Sequence, residues 1–266
     1  NLAASPTNAT YGLHFNGLTT GATIQNNSFH FRAPASAGAN SAHAFSAQSA
    51  SGLNFDHNRI NNPGMITGGA YYCCDLSGVT NLDFKYNDVH SSGTALTDHF
   101  LLWAGNTSTG LKLRGNVFAS SVTVTGSSQT LYVDSLSQPG FAADYNDYYS
   151  SNTLAFQWGA SGTATLADWR SLSGVDANSI SAHPRWADTG AGSEDFHPRS
   201  TGGRFNPATQ AFVVDVTHSP TIDAGESAQA YDLELDPNGA RVNQGSYGNT
   251  AEASKAGSHP GCVVTK

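Results

Sequence analysis

One asparagine-centred pattern recurs five times at nearly constant spacing, and it constrains the fold more than any other feature of the chain. The pattern reads apolar, any residue, apolar, two further residues, Asn, any residue, apolar. It occupies residues 22–29, 53–60, 82–89, 111–118 and 141–148, centred on Asn27, Asn58, Asn87, Asn116 and Asn146, with spacings of 31, 29, 29 and 30 residues. A second alternating segment precedes each Asn. Phe45, Cys74, Trp103 and Val133 each lie 13 residues before their Asn, and His43, Tyr72, Leu101 and Leu131 lie 15 before. Alternation at period two means strands with one buried face. Short strands, polar turns and a repeat of this length predict a solenoid with one coil per repeat.

The pattern resembles the right-handed parallel β-helix of pectate-lyase-type and related secreted proteins, and the five Asn residues resemble that family's asparagine ladder. Asn tolerates the left-handed backbone of a tight turn, and stacked amides hydrogen-bond from coil to coil. The C-terminal third breaks the period. Residues 164–174 read as a short helix stopped by Gly174, and the stretches SPTIDAG (219–225) and PNGARVNQGSYG (237–248) resemble the closing segment of many secreted bacterial β-helix proteins. The expected fold is therefore all-β: about five right-handed coils over residues 11–149, then an irregular closing region over 150–266, packed on the solenoid and holding one short helix. The resemblance implies a secreted or cell-surface protein. The chain opens with Asn1 and shows no signal peptide, so it reads as a processed chain or an excised module.

Composition excludes several classes. Charged residues are 12% of the chain, about half the roughly 25% of an ordinary domain, which excludes coiled coils and charge-driven disorder. Twenty acidic against twelve basic residues leave a net charge of −8, which argues against nucleic acid as a partner. No apolar run approaches the roughly 18 residues of a membrane span, so no membrane insertion is expected.

The repeat also sorts candidate functional residues by face. On the Asn-bearing strand, Asp83 falls beside Lys112 and Lys85 beside Arg114. The simple reading is an exposed salt-bridge lattice. The sharper one is that an acidic sugar bridges Lys85 and Arg114, as uronate lyases use Lys and Arg for base and carboxylate neutraliser; Lys85, Arg114, Lys112 and Asp83 would then be the catalytic set of a polysaccharide lyase or hydrolase. On the first strand, where pectate-lyase-like enzymes usually place their groove, the expected outward residues include Ala44, Cys73, Leu102 and Tyr132, with Tyr71 and Phe100 two residues earlier and the carboxylates Asp75 and Asp134 nearby. This stripe is expected either to lie under the C-terminal tail or to serve as a sugar-stacking or partner surface, with Tyr71, Phe100, Tyr132, Asp75 and Asp134 as ligand contacts. Asp98-His99 offers an acid–base pair or an ordinary polar turn.

No cofactor motif is present, and Asp and Asn side chains leave Ca2+ open as a ligand. Cys73 is expected outside and Cys74 inside, with Cys73–Cys262 as a disulfide pinning the tail, or Cys262 pairing with another chain. The first coil begins near Tyr11 without an evident cap. Further coils or other copies of the chain are therefore expected to stack there, giving a fibre subunit or a glycan-contacting rod.

Overall fold

The computed structural model describes residues 9–17, 20–31, 35–36 and 41–257. The solenoid is a parallel β-helix built from three sheets. The first has seven strands: five coil strands (Thr10–Asn16, Ser41–Gln48, Ala70–Ser77, Asp98–Gly105, Ser128–Val133), then Phe156–Trp158 and, antiparallel to it, Ser161–Thr163. The second and third sheets have five strands each, and one strand from every coil enters each sheet. Successive coils are joined in parallel register, for example Phe84 with Phe55 and Leu113 in the second sheet. The helix Leu166–Ser173 follows, capped at Thr165 and at the left-handed Gly174. Among the described residues no helix is long and apolar enough to cross a membrane.

Apolar side chains stack in rows through the interior. Phe55 lies 5.0 Å from Phe84, Phe84 6.0 Å from Phe118, and Phe118 5.5 Å from Tyr148. The turn between the second and third sheets carries the asparagines. Asn58 Nδ2 donates to Asn87 Oδ1 (3.2 Å), Asn87 Nδ2 to Asn116 Oδ1 (3.0 Å) and Asn116 Nδ2 to Asn146 Oδ1 (3.0 Å). The same oxygens accept the backbone N–H of the preceding Asn, at 2.8 Å for Asn58 and 2.9 Å for Asn87. The left-handed residue of the turn is not the ladder Asn but the one before it: Asn26 (φ 58°), His57 (54°), Tyr86 (50°), Gly115 (67°) and Tyr145 (55°). At Gly115 a side chain is excluded twice over, by its φ and by the Tyr86 ring, whose Cε1 would lie 2.8 Å from an added Cβ.

Two features of the first strand depart from regular alternation. Ala44 and Phe45, Cys73 and Cys74, and Leu101 and Leu102 are adjacent pairs, and every member is fully buried. The paired register passes over Ala44, Cys73 and Leu101, so each strand makes a local irregularity that turns two successive side chains inward. Residues on the opposite face of the strand are consequently three apart: His43 and Ser46, Tyr72 and Asp75, Phe100 and Trp103, Gln129 and Tyr132, with His43, Ser46 and Asp75 buried among their neighbours and the others half-buried. Coil four also has one extra residue after its first strand, where Asn106 (φ 53°) and Thr107 (φ 64°) are both left-handed. This insertion shifts the pairing, so that Trp103 matches Asp75 and Tyr132 rather than Cys74.

These features overturn several expectations. Ala44, Cys73 and Leu102 line the core and form no outer stripe, while Trp103 faces out. Cys73 is a buried free thiol beside Cys74, not a surface thiol, and burial pushes both thiols up. Cys262 lies outside the described residues, and the premise that Cys73 is accessible to it fails. Tyr71 is also fully buried, its ring 5.6 Å from Phe31.

Candidate functional site

The outer face of the first sheet carries an aromatic strip. Tyr11, His43, Tyr72 and Phe100 stack along the solenoid, with centroid separations of 4.8, 4.7 and 4.7 Å. Their spacing matches the roughly 4.8 Å rise between paired strands. Beside this column Trp103 and Tyr132 lie near-parallel to each other (5.9 Å, 11°) and perpendicular to the column rings, at 88° from Tyr72 to Trp103 and 89° from Phe100 to Tyr132. The indole lies across Gly105: a Cβ there would meet Trp103 Cη2 at 2.2 Å. Gly105 thus gives Trp103 room to lie flat against the sheet, with its opposite face turned outward. Tyr72, Phe100, Trp103 and Tyr132 are all half-buried.

Polar groups frame the strip. His43 Nε2 is 2.7 Å from Ser41 Oγ, and Ser46 Oγ donates to Asp75 Oδ2 at 3.2 Å. Asp75 Oδ2 also lies 3.0 Å from His43 Nδ1, but out of line for an N–H donor. Ser41, His43 and Asp75 are therefore neighbours without the alignment of a proton relay. Asp134 accepts from the backbone N–H of Asn106 (2.8 Å) and of Ser137 (2.7 Å), which makes it a turn brace. Asp98 accepts from Ser127 N (2.9 Å), while His99 is fully buried and pushed by burial down to about 3, so the two form no acid–base pair.

The charged patch on the second sheet is neutralised in place. Lys85 Nζ is 3.7 Å from Asp56 and Lys112 Nζ 3.9 Å from Asp83, and Arg114 pairs with Glu226 of the closing segment. Lys85 and Arg114 are adjacent in register, yet each cation faces its own carboxylate. Among the described residues no three His, Cys, Asp or Glu side chains gather as a metal site.

The described part of the closing segment, residues 166–257, makes its polar contacts elsewhere than on the strip. It packs on the asparagine turns and the third sheet. Gly245 N donates to Gly115 O (2.8 Å), Gln244 Nε2 to Tyr145 O (2.7 Å), Ser246 N to Asp88 Oδ2 (2.8 Å) and Asn61 Nδ2 to Thr189 O (3.0 Å). No hydrogen bond, ion pair or ring contact joins residues 166–257 to the aromatic strip among the described residues.

Of the ligand contacts expected from sequence, the structure brings Phe100, Tyr132 and Asp75 together, leaves Asp134 in a turn and puts Tyr71 inside. It adds His43, Tyr72 and Trp103. A signal for these was present: Tyr72 and Phe100 are 28 residues apart, one short of the 29 between their asparagines. No family model matches the chain, and no curated protein or solved structure shows significant similarity to it.

Proposed function

We propose that the chain is a secreted β-helix module that holds a glycan along the outer face of its first sheet, as a binding rod rather than an enzyme. The observation that carries this reading is the flat Trp103–Tyr132 pair beside the edge-on column of Tyr72 and Phe100. Flat aromatic faces in a polar frame suit the apolar faces of sugar rings while leaving the hydroxyls to polar neighbours. The carboxylates of Asp75 and Asp98 lie close enough to act on Tyr72, and the strip residues include no Lys or Arg, so it favours a neutral glycan over an anionic one. The occupied cations of the second sheet, and the absence of an aligned relay on the first among the described residues, argue against a lyase or hydrolase.

Binding of neutral and acidic oligosaccharides to the full chain, measured by calorimetry, tests this. Trp103→Ala and Tyr132→Ala are each expected to weaken a neutral ligand about tenfold, equivalent to about 1.4 kcal/mol, with unchanged circular dichroism. If no oligosaccharide binds, or if binding ignores both substitutions, the strip is not the site. New unsaturated-uronate absorbance, lost in Lys85→Ala, would restore the lyase reading.

A further inference from the structure

A second concavity lies where the closing segment crosses the third sheet. A chamber of about 220 Å³ is bounded by His90, Ser121, Tyr149, His183 and Trp186. It adjoins a wider mouth of about 540 Å³ that shares His183 and Trp186 and adds Arg185 and Arg199. The walls are aromatic: His183 stands 4.7 Å from Tyr149, and Trp186 is edge-on to His90 at 5.7 Å.

The two histidines have fixed and complementary roles. His183 Nδ1 accepts from Arg185 N at 2.9 Å, so its proton is on Nε2. Asn61 donates its amide N–H to Thr189 O, which leaves Asn61 Oδ1 to accept from His90 Nδ1 at 2.7 Å. His90 Nε2 is then an acceptor without a hydrogen bond among the described residues. Burial, with His183 nearby, pushes His90 down to about 4, so it stays neutral. The chamber thus offers one imidazole acceptor, one imidazole donor and the exposed Ser121 hydroxyl.

The mouth supplies charge. Arg185 Nη1 donates to His218 O (2.9 Å), and Arg199 Nε and Nη2 donate to Trp186 O (3.3 Å) and Ala187 O (2.9 Å). Neither guanidinium is in an ion pair among the described residues, and each keeps N–H donors to spare, since a guanidinium carries five. Two such cations at the mouth of an uncharged, hydrogen-bonding chamber suit one carboxylate attached to a hydroxylated ring.

We propose that this cleft binds a small hydroxylated carboxylate about the size of a single sugar ring. The site is separate from the aromatic strip and does not depend on the glycan reading. The probes are glucuronate, with glucose as its uncharged counterpart and acetate as the charge without the ring, each titrated into the full chain by ligand-detected NMR. Glucuronate is expected to bind at least tenfold more tightly than either control. Ser121→Trp, which fills the chamber from an exposed position, is expected to abolish glucuronate binding with the fold intact by circular dichroism. Arg185→Gln is expected to lower it to the level of glucose, and Trp103→Ala to leave it unchanged. No glucuronate binding, equal binding of glucose, or binding that survives Ser121→Trp overturns the proposal, and loss in Trp103→Ala would move the ligand to the first sheet.

Discussion

Asp88 shows how much a single residue can carry in this molecule. It is buried at the start of a third-sheet strand and accepts from Trp186 Nε1 (3.1 Å) and Ser246 N (2.8 Å), so one carboxylate holds two parts of the closing segment to the solenoid. Gly245 makes the approach feasible, because a Cβ there would fall 2.5 Å from Asp88 Oδ1. Burial, only partly offset by these hydrogen bonds, pushes Asp88 up to about 6 from 3.8. Since the folded value is raised, the native state binds more protons than the unfolded one between these values. The contribution of Asp88 is full below about pH 4 and is lost as pH rises through 6. His90 and His99, pushed down to about 4 and about 3, work in the opposite direction, so the pH profile of the parent protein alone hides the effect. Asp88→Asn removes the titration and leaves the histidines in place. The stability of the parent relative to this variant is expected to fall by up to about 3 kcal/mol between pH 4 and pH 7, since each tenfold change in proton affinity is worth about 1.4 kcal/mol. Urea unfolding of both proteins at the two pH values measures it, and a constant difference would mean that Asp88 titrates normally. No sequence pattern marked Asp88, because its partners lie 98 and 158 residues away in a segment without a repeat.

Among the elements, the asparagine ladder is a cooperative row rather than a set of independent turns. Asn87 donates to Phe55 O (2.9 Å) and to Asn116 Oδ1, and its own Oδ1 accepts both the backbone and the amide N–H of Asn58. Asn87→Ala therefore strands buried groups on both neighbouring coils, at about 1–3 kcal/mol for each unsatisfied group. Asn27, at the exposed end of the row, leaves fewer groups behind. Denaturant unfolding is expected to show a loss of about 3 kcal/mol or more for Asn87→Ala and about 1 kcal/mol for Asn27→Ala; equal losses would mean that the ladder is not coupled through the buried interior. The ladder was legible in sequence because its period is carried by residues that repeat. The face of the first strand was only half legible. Counting back from the Asn assumes a constant turn, and the extra residue at Asn106-Thr107 breaks that count for Trp103. Counting by two assumes regular alternation, and the irregularity at Cys73 breaks that for the outer stripe. Both are backbone events with no side-chain signature. The same holds for the left-handed position, which Tyr86 and Tyr145 occupy although tyrosine has no preference for it.

For the molecule as a whole, the two ends of the solenoid are unlike, and this limits how copies can associate. At one end Ser161–Thr163 closes the first sheet antiparallel to Phe156–Trp158, and Trp169 of the helix is fully buried, 5.1 Å from Phe156 and 5.6 Å from Trp158. Asp176 terminates the ladder there, accepting from Asn146 Nδ2 (3.2 Å) and from Trp169 Nε1 (2.8 Å). At the other end Thr10–Asn16, Thr23–Gln25 and Ser28–His30 are each paired on one side only among the described residues. Unpaired edges are sticky. Head-to-tail stacking, the arrangement that would build a fibre, has to join such an edge to the opposite end, where the outermost first-sheet strand runs antiparallel to the coil strands and the helix packs beside it. Two copies of the described edge can still meet about a two-fold axis with their strands antiparallel, and that contact pairs like with like and closes. Association is therefore expected to stop at a dimer, as read by light scattering across a concentration series. Thr23→Lys combined with Gln25→Lys adds positive charge to the end of each copy from exposed positions on the edge strand, and is expected to return the monomer without loss of thermal stability. Particles that keep growing with concentration, or filaments in electron micrographs, would show that the closed end opens to accept another copy.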